Sequence, residues 1–364
     1  MTVGKSVLQH MQPYKQGMQI DEVKRLYGLN KIVKLASNEN PFGFSDKVRE
    51  AFETYSFEME MYPDGYAYHL RKKLARKLQV QDDQLVFGSG SDELIAIICR
   101  TFLHEGTNTV MASPTFPQYR HSSLIEGAEV REVPTVNGRH QLDQMLQQID
   151  ENTKVVWLCT PDNPSGELIE ENDFLSFIQK CPSETVVVLD EAYYEFVDQD
   201  KRYNLLKNLA SFPNLIVLRT FSKAYGLANL RIGYAIANEH IANLLNVVRS
   251  PFNTTSLSQY LATIALDDND FVRETKQLND EIKASFQTFL NSIGWSYNES
   301  HTNFLLVHTP VNGNEMAQYL LEHGYIVRSG ALLGYPNTVR ITIGTKEQME
   351  GLQSVIRKFQ TQQK

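Results

Sequence analysis

Short β-rich apolar runs alternate with helical patterns through the middle of the chain. The runs predict strands over residues 84–87, 109–112, 130–133, 155–159, 185–189, 215–219 and 232–236. Several are continuously apolar, such as the VVVL stretch at 186–189. Continuous rather than alternating hydrophobicity marks strands covered on both faces, as in a parallel sheet flanked by helices. Helical patterns over 92–103, 142–149 and 171–180 separate many of these runs. That βαβ rhythm predicts an α/β fold class with a mostly parallel seven-stranded sheet.

The character changes after about residue 250. A charge-rich helical stretch over 271–293 leads into a smaller unit. That unit has short strands over 303–307, 325–327 and 338–343, and a last helix over 346–359. The first sixty residues read as irregular, with turns at Glu39-Asn40-Pro41 and Tyr62-Pro63-Asp64-Gly65. The expected organisation is an N-terminal arm and part of a small domain over 1–45, a large domain over 46–265, and a small α+β domain over 266–364. A chain of 364 residues suits two hydrophobic cores better than one.

Composition narrows the function. Hydrophobic residues make up 42% and charged residues 21%, near the soluble globular average. Asp and Glu outnumber Lys and Arg by 43 to 35, and a net charge of −8 argues against nucleic acid as a partner. A small anionic ligand stays open, because one or two placed arginines suffice for it. No run of about 18 apolar residues occurs, so no membrane span is expected. The N-terminus lacks the apolar region of a signal peptide. Cys99, Cys159 and Cys181 have no CxxC spacing and sit in or beside apolar stretches. They read as buried, reduced thiols in a cytoplasmic protein. No metal site is expected.

Four segments carry candidate chemistry. In LIVLRTFSKAYGLANLRIGY, a β-rich run ends at Thr220, and Ser222, Lys223 and Arg231 follow. A lysine just past a strand's C-terminal end lies where open α/β sheets place ligands. Lysine can form a Schiff base, and hydroxyls and arginine can clamp a phosphate. In QLVFGSGSDELIAIICRTFL, a strand runs through Gly90, Ser91 and Asp92 into a helix whose first N–H groups make a phosphate cradle. Ser91 or Asp92 as a plain helix cap is the alternative. In TVVVLDEAYY, Asp190 ends a buried strand and would face the same crevice. There it could keep a pyridine nitrogen protonated, with Tyr193 in reach, or merely cap the next turn. In VVWLCTPDNPSG, Asn163 before Pro164 is held out of the α region, and its amide could bond a ring oxygen. Together these groups suit one ligand with a phosphate, a phenolic oxygen, a pyridine nitrogen and an aldehyde.

Asn163-Pro164, Asp190-x-x-Tyr193 and Ser222-Lys223-x₇-Arg231 resemble the signature of fold-type I, pyridoxal-5′-phosphate (PLP)-dependent aminotransferases. LASNENPFG from Leu35, MYPDGY from Met61, GSGSDE from Gly88, IVRSG from Ile326 and VRITIGT from Val339 resemble the histidinol-phosphate aminotransferase family in particular. The resemblance covers nearly the whole chain. It implies that 46–265 is the PLP-binding domain and that Lys223 holds PLP by a Schiff base. It pairs Asp190 with the pyridine nitrogen, and Tyr193 and Asn163 with the phenolic oxygen. Gly90, Ser91 and Asp92 would cradle the phosphate, with Thr220, Ser222 and Arg231 completing the cup. Phe116 would stack on the ring, where many relatives carry Tyr. Tyr62 would reach the phosphate in a neighbouring subunit, which implies a homodimer. Arg340 would bind a substrate anion, and Arg328 and Tyr14 a substrate phosphate.

The implied reaction moves an amino group between L-histidinol phosphate and 2-oxoglutarate, giving imidazole-acetol phosphate and L-glutamate in histidine biosynthesis. An aromatic or broad-range aminotransferase, or a PLP-dependent decarboxylase of a phosphorylated amino acid, shares most of the same framework. The Gly-rich turn fits neither a P-loop nor a Rossmann turn, since it lacks both GK[ST] and a third Gly.

Overall fold

The computed structural model describes residues 4–13, 18, 20–56 and 58–362. Its strands in chain order are β1 (Val33–Lys34), β2 (Leu85–Gly88), β3 (Asn108–Ser113), β4 (Glu129–Pro134), β5 (Thr153–Cys159), β6 (Val186–Asp190), β7 (Leu215–Thr220), β8 (Gly233–Ala237), β9 (Phe304–His308), β10 (Tyr325–Ile326), β11 (Arg328–Ser329) and β12 (Thr338–Thr342). Seven form the main sheet in the order β2-β8-β7-β6-β5-β3-β4. Only β8 runs antiparallel to its neighbours, so the sheet is mostly parallel.

The continuous apolar runs have a direct structural cause. Along β6, Val187 and Leu189 pack into one core and Val186 and Val188 into another. Successive side chains point to opposite faces, and helices cover both. Helices Ser91–Phe102 and Glu239–Val248 supply one cover. Helices Tyr68–Leu78, Glu171–Lys180 and Ser256–Ala265 supply much of the other.

A third core joins the two ends of the chain. Val33 and Leu35 pack with Phe286, Leu305, Val307, Val339 and Ile341. Here β9, β12 and β11 form an antiparallel sheet, and β1 pairs in parallel with β10. The single strand expected over 325–327 is in fact two. β10 bonds to β1, and after Val327 the chain enters the other sheet as β11, which sets Arg328 opposite Arg340.

The first sixty residues are less irregular than their pattern suggests. Helices occupy Ile20–Tyr27 and Asp46–Thr54, but each buries one residue, Val23 and Val48 respectively. Each is short, with an apolar stripe of only a few residues, such as Ile20, Val23 and Tyr27 or Val48, Ala51 and Phe52, which is easily passed over in a segment rich in turn residues. Helix Pro117–Ile125 is also unexpected from periodicity, as it buries only Tyr119 and Ser123. Pro117 at its first turn is the local sign of its start.

Candidate active site

The C-terminal ends of β5, β6 and β7 open into a cavity of about 540 Å³. Lys223 and Asp190 both line it, on consecutive chain crossings of the sheet. Asp190 is the last residue of β6 and is buried. Its Oδ2 accepts the Tyr119 hydroxyl proton at 2.7 Å, and its Oδ1 accepts the Ala192 N–H at 3.1 Å. The turn-capping alternative is therefore met by one oxygen while the other serves the cavity wall. Burial pushes the carboxyl pKa up to about 6, despite both donors.

Lys223 follows β7, and its Nζ donates to the Ser37 carbonyl at 3.2 Å. Burial, and then the positive charge of Arg340, bring its pKa down to about 8. A lysine in that state supplies a neutral amine near neutral pH far more readily than an exposed one.

Tyr193 is buried, with its ring edge-on to Phe304. Its hydroxyl oxygen accepts Asn38 Nδ2 at 2.8 Å. That leaves the phenol proton to be donated elsewhere, and burial raises its pKa. Asn163 ends the β5 turn, and its Oδ1 accepts Arg340 Nη1 at 2.6 Å. Arg340 Nη2 donates to the Ala36 carbonyl at 2.6 Å. Val339 and Ile341 face the third core, so the alternation of β12 turns Arg340 towards the cavity.

The glycine-rich turn meets the helix end-on. Gly90 has φ +81°, in the left-handed region, and a Cβ there would collide with the Arg231 guanidinium. The helix begins at Ser91 with Gly90 as N-cap and no side-chain cap. Neither Ser91 nor Asp92 takes the capping role. Ser91 Oγ is buried and, among the described residues, has no hydrogen-bond partner. A buried hydroxyl without a partner is costly, and a phosphate oxygen at this helix N-terminus would satisfy it. Arg231 Nη2 donates to the Ser89 carbonyl at 3.3 Å and Nη1 approaches Ser222 Oγ at 3.4 Å. Thr220 is buried, and its Oγ1 accepts the Ser222 N–H at 3.1 Å.

Phe116 and Arg328 also line the cavity. Tyr62 does not; it is 81% exposed and stacks on Phe252 at the surface. Tyr14 lies outside the described residues. Three participants were not singled out by sequence reasoning. Tyr119 was hidden by the unrecognised helix, Asn38 lies in the LASNENPFG segment with no role assigned to it, and Ser37, in the same segment, acts through its backbone. A second cavity, of about 550 Å³, is lined by residues such as Glu167, Glu170, Asp173 and Lys180, and contains none of the residues singled out from sequence. Volume alone does not choose between them; chemistry does.

The donor set fits PLP. A Ser91 hydroxyl without a partner among the described residues, a glycine that leaves room beside Arg231, a buried acid and a lysine of lowered pKa are the donor types that its phosphate, ring nitrogen and aldehyde call for. Among the described residues, no helix is long and apolar enough to cross a membrane.

Comparison with known proteins agrees. The family model for aminotransferase class I and II matches residues 30–356. Histidinol-phosphate aminotransferase 2 of Oceanobacillus iheyensis is 51% identical over 357 residues, covering 98% of each chain. The histidinol-phosphate aminotransferase of Bacillus subtilis is 48% identical over 353 residues, covering 97% of this chain and 98% of that one. The crystal structure of histidinol-phosphate aminotransferase from Sinorhizobium meliloti, in complex with pyridoxal-5′-phosphate, superposes with a TM-score of 0.90 at 27% identity, covering 99% of both chains. The chain belongs to the class I and II aminotransferases, on the branch of the histidinol-phosphate aminotransferases, and is a PLP-dependent transaminase.

Proposed function

We propose that the chain transfers the amino group between L-histidinol phosphate and 2-oxoglutarate, giving imidazole-acetol phosphate and L-glutamate. The observation that carries this reading is the pair Arg328 and Arg340, opposite each other across β11 and β12 and lining the cavity that holds Lys223. Two guanidinium groups suit a phosphate ester in one half-reaction and a dicarboxylate in the other, since Arg grips both kinds of anion bidentately.

Each residue then has a task. Ser91 Oγ and the first N–H groups of its helix bind the cofactor phosphate, with Gly90, Asp92, Thr220, Ser222 and Arg231 around them. Asp190 keeps a proton on the pyridine nitrogen, and Tyr119 holds its carboxylate in place. Tyr193 donates its free proton to the phenolic oxygen, and Asn163 approaches the same atom while orienting Arg340. Phe116 covers the ring face. When bound, PLP supplies an electron sink for the carbon that loses a proton. Lys223 Nζ would hold the cofactor's aldehyde carbon between turnovers, and once displaced by the substrate amine it would be placed to take the proton from the substrate carbon that bears that amine. Tyr14 is proposed as a further phosphate contact.

The same reading includes a homodimer in the cytoplasm. Met59, Met61, Tyr62 and Tyr66 are exposed together on one loop, with Phe252 stacked beneath Tyr62. A contiguous exposed apolar patch suits a partner surface, and Tyr62 would reach a neighbouring subunit's site from there. The three cysteines are free thiols, as a reducing compartment maintains. The proposed division is 1–45, 46–265 and 266–364, which accords with the separate cores.

The test is an absorbance series on the PLP-loaded protein with L-histidinol phosphate, L-phenylalanine and L-glutamate. Fastest conversion of the cofactor to its amine form with histidinol phosphate is expected. Faster conversion with phenylalanine would move the substrate to aromatic amino acids. With a phosphorylated amino acid run in parallel, release of CO₂ from it would replace transamination by decarboxylation.

A further inference from the structure

The glycine-rich turn is held from behind by groups that the proposed chemistry does not use. Glu93 Oε2 accepts the Ser89 N–H at 2.5 Å and Asn253 Nδ2 at 2.7 Å. Asn253 Nδ2 also donates to the Phe87 carbonyl of β2 at 3.1 Å. Asn253 Oδ1 accepts Arg249 Nη1 at 2.7 Å. Arg249 Nη2 donates to the Gly65 carbonyl at 3.0 Å. One chain of contacts thus runs from the 62–65 loop, through Arg249, Asn253 and Glu93, to the backbone of the turn.

A carboxylate two residues past Ser91 is an unexpected neighbour for a phosphate, which it would repel. Its placement explains why it is tolerated. It ties the Ser89 N–H inwards and leaves the Ser91 and Asp92 N–H groups, the free donors of a helix N-terminus, for the ligand. The partly buried Arg249 guanidinium offsets its charge. The anchor segment also supports the loop from below, because Phe252 stacks on Tyr62 with ring centroids 4.9 Å apart. Gly65 sits so close to the Phe252 ring that a Cβ there would meet it at 3.3 Å.

We propose that Glu93, Asn253 and Arg249 are positioning residues that fix the shape of the phosphate cradle, set the protein's affinity for PLP, and make that affinity depend on the 62–65 loop. The proposal rests on the reading of Gly90–Asp92 as the phosphate-binding turn. None of the three touches the cofactor; they act through the turn's backbone.

Asn253→Asp is the informative variant. It is isosteric and keeps the acceptor for Arg249, but loses both donors, to Glu93 and to Phe87. Arg249→Lys is the second, since an ammonium group lacks the fork that spans Gly65 and Asn253. Ser91→Ala is the control for the turn itself. The measurement is the PLP dissociation constant of each apoprotein, by spectroscopic titration, together with substrate KM at saturating PLP. A rise of about tenfold or more in the dissociation constant is expected for all three variants, as for loss of buried hydrogen bonds. KM is expected to stay near wild type for the two relay variants, whereas general damage to the fold would move both quantities. If Ser91→Ala weakens PLP binding and both relay variants match wild type, the relay is wrong and the turn stands. If all three match wild type, the turn assignment fails and the relay with it.

Discussion

Tyr119 donates its phenol proton to Asp190 Oδ2 at 2.7 Å, from a ring stacked on Trp157 with centroids 4.8 Å apart and planes 12° from parallel. The stack fixes the hydroxyl, and the hydroxyl fixes the carboxylate. This bond favours the ionised acid, burial opposes it, and burial wins, leaving a pKa of about 6 against an ordinary 3.8. The pKa is thus higher folded than unfolded. Stability linked to Asp190 is therefore full below the unfolded value and is lost as pH rises towards the folded value, about 6.

The cofactor-free protein is expected to carry a penalty of about 3 kcal/mol above pH 6 from this ionised group. Asp190→Asn removes the charge. Without cofactor it should unfold at higher urea than wild type at pH 8, and the gap should close below pH 4. Urea melts at a series of pH values check this. An Asp190→Asn apoprotein less stable than wild type at pH 8 would contradict it. Tyr119→Phe should move the midpoint upward, because it deletes a donor to the ionised form.

Lys223 gives a second pH dependence. With its pKa down at about 8, the rate at which the apoprotein captures PLP should climb about tenfold per pH unit below that value and level off above it. Stopped-flow absorbance reads the rate directly. Arg340→Gln removes a positive charge that lowers the lysine's pKa, so the midpoint should move up. Lys223→Ala should lower turnover by at least about 10²–10⁴-fold, the range for loss of a general base.

Arg340 grips Asn163 and Ala36 through separate guanidinium nitrogens, at 2.6 Å each. Arg340→Lys keeps the charge but loses the fork, so kcat/KM should fall by about tenfold or more with both histidinol phosphate and glutamate. Arg328 lies opposite Arg340 on the edge strand of its sheet. Arg328→Ala should cost the phosphate substrate more than glutamate. Steady-state kinetics on both substrates test the pair; equal losses with Arg328→Ala would remove its assignment as a phosphate anchor.

The sheet and the strand-end chemistry were legible because one signal serves both. A strand buried on both faces is apolar along most of its length, so the polar residues at its end stand out, as Asp190 does after VVVL and the Ser222-Lys223 pair does just beyond LIVLRT. Tyr119 gave no such signal. It lies on a helix that buries two residues, one of them a serine, which leaves no apolar stripe. Asn38 has φ +56° and is placed by contacts with Thr342 and Asn303, more than 260 residues away in the chain. No local pattern encodes contacts of that span. The split of β10 from β11 was hidden for a related reason: three residues are too few to record a change of sheet.

Asp162 offers a last test, of how the site is braced. It is fully buried beside Asn163. Its Oδ1 accepts Thr115 Oγ1 at 2.6 Å, and its Oδ2 accepts Ser165 Oγ at 2.8 Å and Ser165 N–H at 3.2 Å. Thr115 immediately precedes Phe116, so one carboxylate braces the neighbours of two cavity-lining residues, Phe116 and Asn163. Asp162→Ala strands the Thr115 and Ser165 donors and should cost at least about 2 kcal/mol in urea unfolding. Asp162→Asn keeps the Thr115 bond through its carbonyl but opposes the Ser165 donors with an NH₂ group, so an intermediate loss is expected. An Asp162→Ala variant with wild-type stability would mean that water replaces the carboxylate without strain, and the brace would have to be sought elsewhere.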